Sequence, residues 1–107
     1  DMRNSRAIDV YKHLTSYGIG VKVVDPFVDP TEIRDILNTN LVDLQDVKEA
    51  DCLVFLVAHH QFAELGVDDL DRMFRRGEEN SGPVLIDVKN IYNQKKLEER
   101  GYSYWSL

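Results

Sequence analysis

The feature that most constrains the fold is the run Leu53-Val54-Phe55-Leu56-Val57, which is apolar at every position. A strand with one face in water alternates apolar and polar residues. A run without alternation is typical of a strand covered on both faces, as in a parallel sheet flanked by helices. The segment Pro83-Val84-Leu85-Ile86-Asp87 predicts a second buried strand. We therefore expect a largely parallel sheet.

The remaining segments alternate between helical and extended periodicity. Helices are predicted at about residues 5–17, 31–37, 67–76 and 93–100, with a shorter one at 43–49, and strands at 20–26, at 102–105 and, very short, at Val42. Asn4 or Ser5 and Asp29 or Thr31 are the expected helix caps, and Gly18 and Gly101 the expected helix ends. This order predicts an α/β, Rossmann-like, three-layer domain with a mostly parallel sheet and right-handed crossovers. Since no repeat or linker interrupts it, residues 1–107 are expected to form a single domain.

One strand of this architecture has no counterpart in the sequence. The first helix of a doubly wound fold normally follows a strand that often lies at the centre of the sheet, but nothing precedes Asp1. We therefore expect the first strand to be missing, so that Val21–Val24 and Leu53–Val57 flank an open position in the sheet. The gap, with its unpaired backbone groups, would be closed by direct pairing of these two strands, by a strand from another chain, or by disorder of the segment.

Composition excludes several classes of function. The chain has 13 basic and 19 acidic residues and a net charge of −6, with no basic stripe that would bind nucleic acid or an anionic membrane. The longest apolar run, Cys52 to Ala58, is too short to span a bilayer, and no signal peptide is visible. Cys52 is the only cysteine and is expected to pack in the core, so a reducing, cytoplasmic setting is predicted.

Two basic residues lie where an α/β domain could bind an anion. Arg3 precedes the first predicted helix, where free backbone N–H groups favour negative charge. Lys89 follows the strand that ends at Asp87, and ligands of α/β domains bind at strand carboxyl ends. The alternatives are a solvated arginine beside an ordinary Ser5 cap and an exposed lysine at a strand end.

The histidines and the acidic clusters favour no metal site. His59 and His60 follow the first buried strand, but adjacent side chains point in different directions and no further ligand completes a metal-binding spacing. A structural or supporting role is therefore expected for His59. The clustered acidic groups are interpreted as a solvated face: Asp68, Asp69, Asp71 and Glu78-Glu79.

Several short motifs follow one another along almost the whole chain. They are Asp1-x-Arg3-x-Ser5, Gly20 to Pro26, Ala50-Asp51 with His59-His60-Gln61-Phe62, Asp87-Val88-Lys89-Asn90, and Gly101-Tyr102-Ser103-Tyr104. In this order and spacing they resemble the C-terminal, UDP-binding domain of the UDP-glucose/GDP-mannose dehydrogenase family. The resemblance implies that Lys89 helps to hold UDP and that Arg3 reaches the cleft on the cofactor side, with Asp1, Ser5 and His59 in supporting positions. Many members of the family have arginine at the position of Lys89. Lysine keeps the positive charge there but cannot form the two parallel hydrogen bonds that a guanidinium group offers to a phosphate.

The resemblance also implies a larger enzyme. Such a parent is an NAD-dependent 6-dehydrogenase, expected to be a homo-oligomer, that oxidises UDP-glucose, a UDP-N-acetylhexosamine or GDP-mannose to the uronic acid through a covalent thioester. NAD binds mainly to an N-terminal Rossmann domain of the same chain, and the nucleophilic cysteine also lies elsewhere, so this fragment alone is expected to be inactive. Lys89 and the turn His59–Phe62 incline the prediction towards N-acetylhexosamines.

Two other classes compete with this interpretation. One is a stand-alone Rossmann-like binding or regulatory module without catalysis. The other is a receiver-like signalling domain, which is disfavoured because Asp25 and Asp51 do not form the expected acidic cluster with a downstream lysine. Gly18-Ile19-Gly20 ends a helix rather than following a strand, so it is not a dinucleotide-binding loop.

Overall fold

The computed structural model of the chain describes residues 6–75 and 82–107. The chain divides into two compact units, residues 1–47 and 48–107. That the two units belong to one domain stays a prediction. No helix in the described ranges is long and apolar enough to cross a membrane.

The first unit is built on two helices, α1 (Arg6–Ser16) and α2 (Pro30–Leu37), followed by a 3₁₀ turn (Leu44–Asp46). Asp29 caps α2, because its Oδ1 atom accepts a hydrogen bond from the Thr31 backbone N–H at 2.8 Å. Gly18 follows α1 with a φ of +78°, the left-handed conformation expected of a glycine at a helix end. The helices predicted at about residues 5–17 and 31–37 and the Asp29 cap are therefore confirmed, whereas the helix predicted at 43–49 is only the short 3₁₀ turn.

The core of this unit forms where the apolar faces of its two helices meet. Ile8 of α1 packs with Ile33 and Leu37 of α2 in a buried cluster. Partly buried apolar side chains surround the cluster: Tyr11, Val23, Val28, Ile36 and Leu41. Burial of these apolar faces is what stabilises helices of 11 and 8 residues, which are too short to persist alone in water.

The strand predicted at residues 20–26 is wrong in extent. Only Val23 pairs, in an isolated parallel bridge with Leu41, and the Val42 N–H donates to the Val23 carbonyl at 2.9 Å. The backbone turns just beyond, because the Phe27 N–H bonds to the Asp25 side chain at 2.9 Å. A local side-chain bond and Pro26 thus end the extended segment before a ladder forms.

The second unit holds a three-stranded parallel sheet in the order β1-β2-β3. Its elements are β1 (Cys52–Phe55), α3 (His60–Ala63), α4 (Val67–Met73), β2 (Val84–Asp87), α5 (Gln94–Glu99) and β3 (Ser103–Ser106). Cys52 is level with Val84, and Val84 with Ser103, so the carboxyl ends of all three strands lie at one edge. The predicted α/β class with a parallel sheet is confirmed. The four-residue α3 was not predicted.

Burial differs sharply between the central and the first strand. Leu85 of β2 is fully buried, whereas Val54 of β1 is 38% exposed and Val57, beyond the end of β1, is 37% exposed. The expectation that Leu53–Val57 is covered on both faces is therefore wrong for these side chains, because β1 is an edge strand of the described sheet. That a further strand belongs beside β1 stays a prediction.

Helices α4 and α5 complete the core of the second unit. Leu70 and Met73 of α4 and Leu97 of α5 are buried. Phe74 meets Tyr102 edge to face, with ring centroids 5.5 Å apart. The core of the second unit is therefore packed by aromatic as well as aliphatic side chains.

Gly82 and Gly101 approach each other just before β2 and β3. A Cβ atom on Gly82 would lie 2.9 Å from the Gly101 carbonyl oxygen, and both glycines have positive φ, +105° and +91°. The first position of the Gly101-x-x-Tyr104 motif thus takes a backbone conformation that L side chains rarely adopt. Close packing at this edge requires glycine at residue 82.

We expect Gly82→Ala to lower the free energy of unfolding by about 1–2 kcal/mol, because the methyl group clashes and the φ is strained. Gly20→Ala is the matched control, since a Cβ there meets nothing within 4 Å and its φ is not in the left-handed range. That control should be neutral or slightly stabilising. Chemical denaturation of both variants measures the difference, and equal unfolding free energies would contradict the close approach.

Candidate functional site

The candidate site is the carboxyl edge of the sheet, defined here as residues 56–62 after β1 and 88–92 after β2. Because β1 and β2 are parallel neighbours, the segments that follow them leave the sheet side by side. The Val88 N–H donates to the Phe55 carbonyl at 3.0 Å and extends the pairing one step beyond β2. Ligands of open parallel sheets bind at this edge.

Asp87, the last residue of β2, organises the turn that follows. Its carboxyl group is fully buried and accepts hydrogen bonds from the Ile91 N–H at 3.0 Å and the Tyr92 N–H at 2.9 Å. It also accepts a third from the Tyr104 hydroxyl at 2.6 Å. A buried carboxyl group needs such donors to offset its lost hydration. Asp87 therefore holds the backbone of the turn 88–92 (the Lys89 turn) against the end of its own strand.

Asn90 completes the Lys89 turn with a left-handed backbone. Its φ is +58°, a conformation that asparagine tolerates better than most residues, and its N–H donates to the Asp87 carbonyl at 3.3 Å. The Asn90 Oδ1 atom lies 3.2 Å from the Tyr104 hydroxyl oxygen. Lys89, between Asp87 and Asn90, is exposed. The turn thus presents one lysine on a hydrogen-bonded backbone.

Tyr92 ties the Lys89 turn to the segment after β1. Its hydroxyl donates to the Phe62 carbonyl at 2.6 Å, and its ring meets Phe55 edge to face at 5.0 Å. Desolvation, with the negative charge of Asp87 as the second cause, raises the pKa of Tyr92. The phenol therefore stays a neutral donor through the physiological range, and both halves of the carboxyl edge are held together.

Tyr104 is the second phenol that supports the site, from the neighbouring strand β3. It is buried, and desolvation, together with its hydrogen bond to Asp87 and the charge of that residue, raises the pKa of Tyr104 to about 12. The Tyr104 hydroxyl therefore keeps its proton, and can act as a donor, through the physiological pH range.

His59 lies at the same edge, where it occupies the N-cap position of α3. Its carbonyl accepts the N–H groups of Phe62 and Ala63 at 3.0 and 3.2 Å, and its half-buried ring lies 5.4 Å from that of Phe62. These contacts give His59 a part in ordering the α3 turn beside Lys89. His59 and Lys89 thus follow neighbouring strands at the same edge of the sheet, and their roles in a binding site stay predictions.

The other predicted site residues, Asp1, Arg3 and Ser5, lie outside the described residues. Their supporting and cofactor-side roles, including a cleft shared by Arg3 and Lys89, stay predictions. Glu78-Glu79, interpreted as solvated, also lies outside the described ranges.

Cys52 is placed differently from its prediction. It was expected in the core but is exposed at the start of β1. It therefore lies at the amino ends of the strands, whereas Lys89 lies at their carboxyl ends. Partial desolvation and, to a lesser degree, the adjacent charge of Asp51 raise the pKa of its thiol. A raised pKa disfavours the nucleophilic thiolate, so Cys52 remains a poor candidate for catalysis.

The acidic residues of α4 are not simply a solvated face. Asp69 accepts a hydrogen bond from the Gly66 N–H at 2.8 Å and pairs with Arg72, while Asp68 pairs with Arg100. Asp71 accepts the Tyr102 hydroxyl at 2.6 Å. Asp68 and Asp71 thus connect α4 to the turn after α5, whereas the contacts of Asp69 stay within α4 and its start. No cluster in the described part of the chain has the ligands for a metal ion.

Sequence reasoning assigned no role to Asp87, Tyr92 or Tyr104, which build the site. Asp87 and Tyr104 stood in recognised motifs, Asp87-Val88-Lys89-Asn90 and Gly101-x-x-Tyr104, but nothing in the spacing showed that they touch. The available signal was a carboxyl group at the end of an otherwise apolar strand, since a buried acid requires nearby donors.

Comparison with known proteins gives a consistent result. A UDP-N-acetyl-D-glucosamine 6-dehydrogenase of Salmonella typhi is 32% identical over 102 residues, covering 94% of this chain and 22% of that protein. UDP-glucose 6-dehydrogenases of Rickettsia felis and Bacillus subtilis are 28% and 25% identical over the whole chain, which spans 23% of each. The profile of the UDP-glucose/GDP-mannose dehydrogenase family, UDP binding domain, matches residues 1–94. The chain therefore belongs to the UDP-glucose/GDP-mannose dehydrogenase family and corresponds to its UDP binding domain.

Proposed function

We propose that the carboxyl edge binds the diphosphate of a nucleotide sugar, with Lys89 as its principal cation. The observation that carries this proposal is the Lys89 turn, in which a buried carboxyl group holds the backbone while the lysine side chain remains exposed. A cation carried on an ordered backbone loses less conformational freedom on binding than one on a mobile loop. Arg3 is proposed as a second cation, on the cofactor side.

The chemistry of lysine fits a phosphate group held by a point charge. Its ammonium group offers three donors without the planar fork of arginine, so it favours charge over bidentate geometry. The net charge of −6 does not oppose this role, because one placed cation suffices for one diphosphate even though the whole chain would repel polyanions.

We further propose that the parent is a cytoplasmic, NAD-dependent UDP-sugar 6-dehydrogenase of polysaccharide biosynthesis that acts as a homo-oligomer. Relatives that carry UDP-N-acetyl-D-glucosamine 6-dehydrogenase and UDP-glucose 6-dehydrogenase names support this class, and the Salmonella typhi relative favours an N-acetylhexosamine. The described residues do not fit NAD, because Gly18 and Gly20 follow α1 instead of a strand. We infer that an N-terminal domain binds NAD and that this chain alone does not turn over substrate.

A ligand series tests the binding proposal. We expect calorimetry on the chain to show UDP binding about 100-fold more tightly than uridine, with UMP between them, because charge-assisted hydrogen bonds to phosphate contribute about 1.5–3 kcal/mol. Inorganic pyrophosphate should compete with UDP. Equal affinities for UDP and uridine would show that the diphosphate is not recognised and would refute the proposal.

A further inference from the structure

We propose that Tyr104, acting through Asp87 and Asn90, is a positioning residue for Lys89 in nucleotide binding. The inference rests on the proposed function of the carboxyl edge and names a group that orders the turn carrying its cation. The Tyr104 hydroxyl oxygen lies 2.6 Å from Asp87 Oδ2 and 3.2 Å from Asn90 Oδ1. Asp87 precedes Lys89 in the chain and Asn90 follows it directly, so one hydroxyl group contacts side chains on both sides of the lysine.

The contact joins parts of the chain that are distant in sequence. Tyr104 is level with Leu85 in the β2–β3 register, and its buried side chain reaches the end of β2. The motif Gly101-x-x-Tyr104 therefore supplies the support for the motif Asp87-x-Lys89-Asn90. A turn held from both sides presents the lysine to a nucleoside diphosphate without first having to be ordered.

Tyr102 provides a matched comparison on the same segment. It is also buried, and its hydroxyl also donates to a carboxyl group at 2.6 Å, but that group is Asp71 of α4, not a residue of the Lys89 turn. Removal of either hydroxyl deletes one hydrogen bond to an acid and keeps the ring. Of these two hydroxyl groups, the one on Tyr104 belongs to the support of Lys89.

The test measures the dissociation constant for UDP and the unfolding midpoint of Tyr104→Phe and Tyr102→Phe in the chain. Both variants should lose similar stability, but only Tyr104→Phe should weaken UDP binding, by about 3- to 10-fold, because the Lys89 turn loses one supporting hydrogen bond while its cation remains. In a Lys89→Ala background the effect of Tyr104→Phe on binding should disappear, because there is no cation left to position. Equal weakening by both tyrosine variants, or persistence of the Tyr104 effect without Lys89, would overturn the inference.

A second variant keeps the test decisive if Tyr104→Phe does not fold. Asn90→Gly removes the side-chain oxygen near the Tyr104 hydroxyl and tolerates the positive φ, so it should fold and weaken UDP binding about threefold. Unchanged affinity in Asn90→Gly would then count against the positioning role. If Lys89→Ala alone leaves UDP affinity unchanged, the proposed function fails and this inference fails with it. If Lys89→Ala weakens binding and Tyr104→Phe does not, only the positioning role is lost.

Discussion

Asp87→Ala is expected to lower the free energy of unfolding by about 3–5 kcal/mol. The substitution removes the acceptor of three donors around the fully buried Asp87 side chain, namely the part-buried Ile91 and Tyr92 N–H groups and the buried Tyr104 hydroxyl. Each unsatisfied buried donor costs about 1–3 kcal/mol. The total falls below the sum because Asn90 Oδ1, at 3.2 Å, remains available to the Tyr104 hydroxyl. Chemical denaturation followed by circular dichroism measures the change.

Two further variants distinguish the loss of the Asp87 hydrogen-bond acceptors from the loss of a negative charge in general. Asp87→Asn keeps the shape and one acceptor oxygen, so it should lose about 1–3 kcal/mol. Asp51→Ala removes an exposed carboxyl group that lies 3.6 Å from Arg75, and such a surface pair contributes only about 0–1 kcal/mol. An Asp87→Ala variant as stable as Asp51→Ala would contradict the structure of the Lys89 turn.

Lys89→Ala is expected to weaken UDP binding by about 10- to 100-fold, because a hydrogen bond to a charged group contributes about 1.5–3 kcal/mol. Stability should hardly change, since the Lys89 side chain is exposed and the backbone of its turn is held by Asp87. Loss of affinity with unchanged stability is the pattern that distinguishes a ligand contact from a structural residue. Calorimetry with UDP and thermal unfolding together measure both quantities.

Matched lysine and arginine variants sharpen the Lys89 experiment. Lys48→Ala removes the same charge from an exposed lysine that precedes the amino end of β1, so it should leave UDP affinity within about twofold of the original. Lys89→Arg keeps the charge and should preserve most of the binding. If Lys48→Ala and Lys89→Ala weaken UDP binding equally, only net charge matters and the assignment of Lys89 is wrong.

The order of the elements followed largely from local patterns in the sequence. The apolar runs around Phe55 and Leu85 predicted two parallel strands, and Asp29 predicted the start of α2. The extent of the segment around Val23 was overpredicted, because β-branched composition does not reveal whether a neighbouring backbone is available for pairing. Exposure of Val54 was missed for the same reason, since position within a sheet is a tertiary property.

The candidate site was predictable only in part. Its place at the carboxyl ends of the strands follows from the parallel topology, which explains why Lys89 and His59 could be singled out separately. The support from Tyr104 was not predictable, because it depends on a contact between residues 17 positions apart. Burial of Asp87 was indicated only by its place at the end of an apolar strand, and its partners could not be deduced, since most aspartates are exposed and only a set of convergent donors allows one to be buried.

Backbone amide chemical-shift mapping during a UDP titration tests the central claim most directly. We predict that the largest shifts occur at the carboxyl edge, in the Lys89 turn and in the segment around His59, and that they shrink in Lys89→Ala. Amides near the amino ends of the strands, such as Ala50 and Gly101, should move little. Saturable shifts confined to the amino ends, or none at Lys89 and Asn90, would contradict the claim that this edge binds the nucleotide diphosphate.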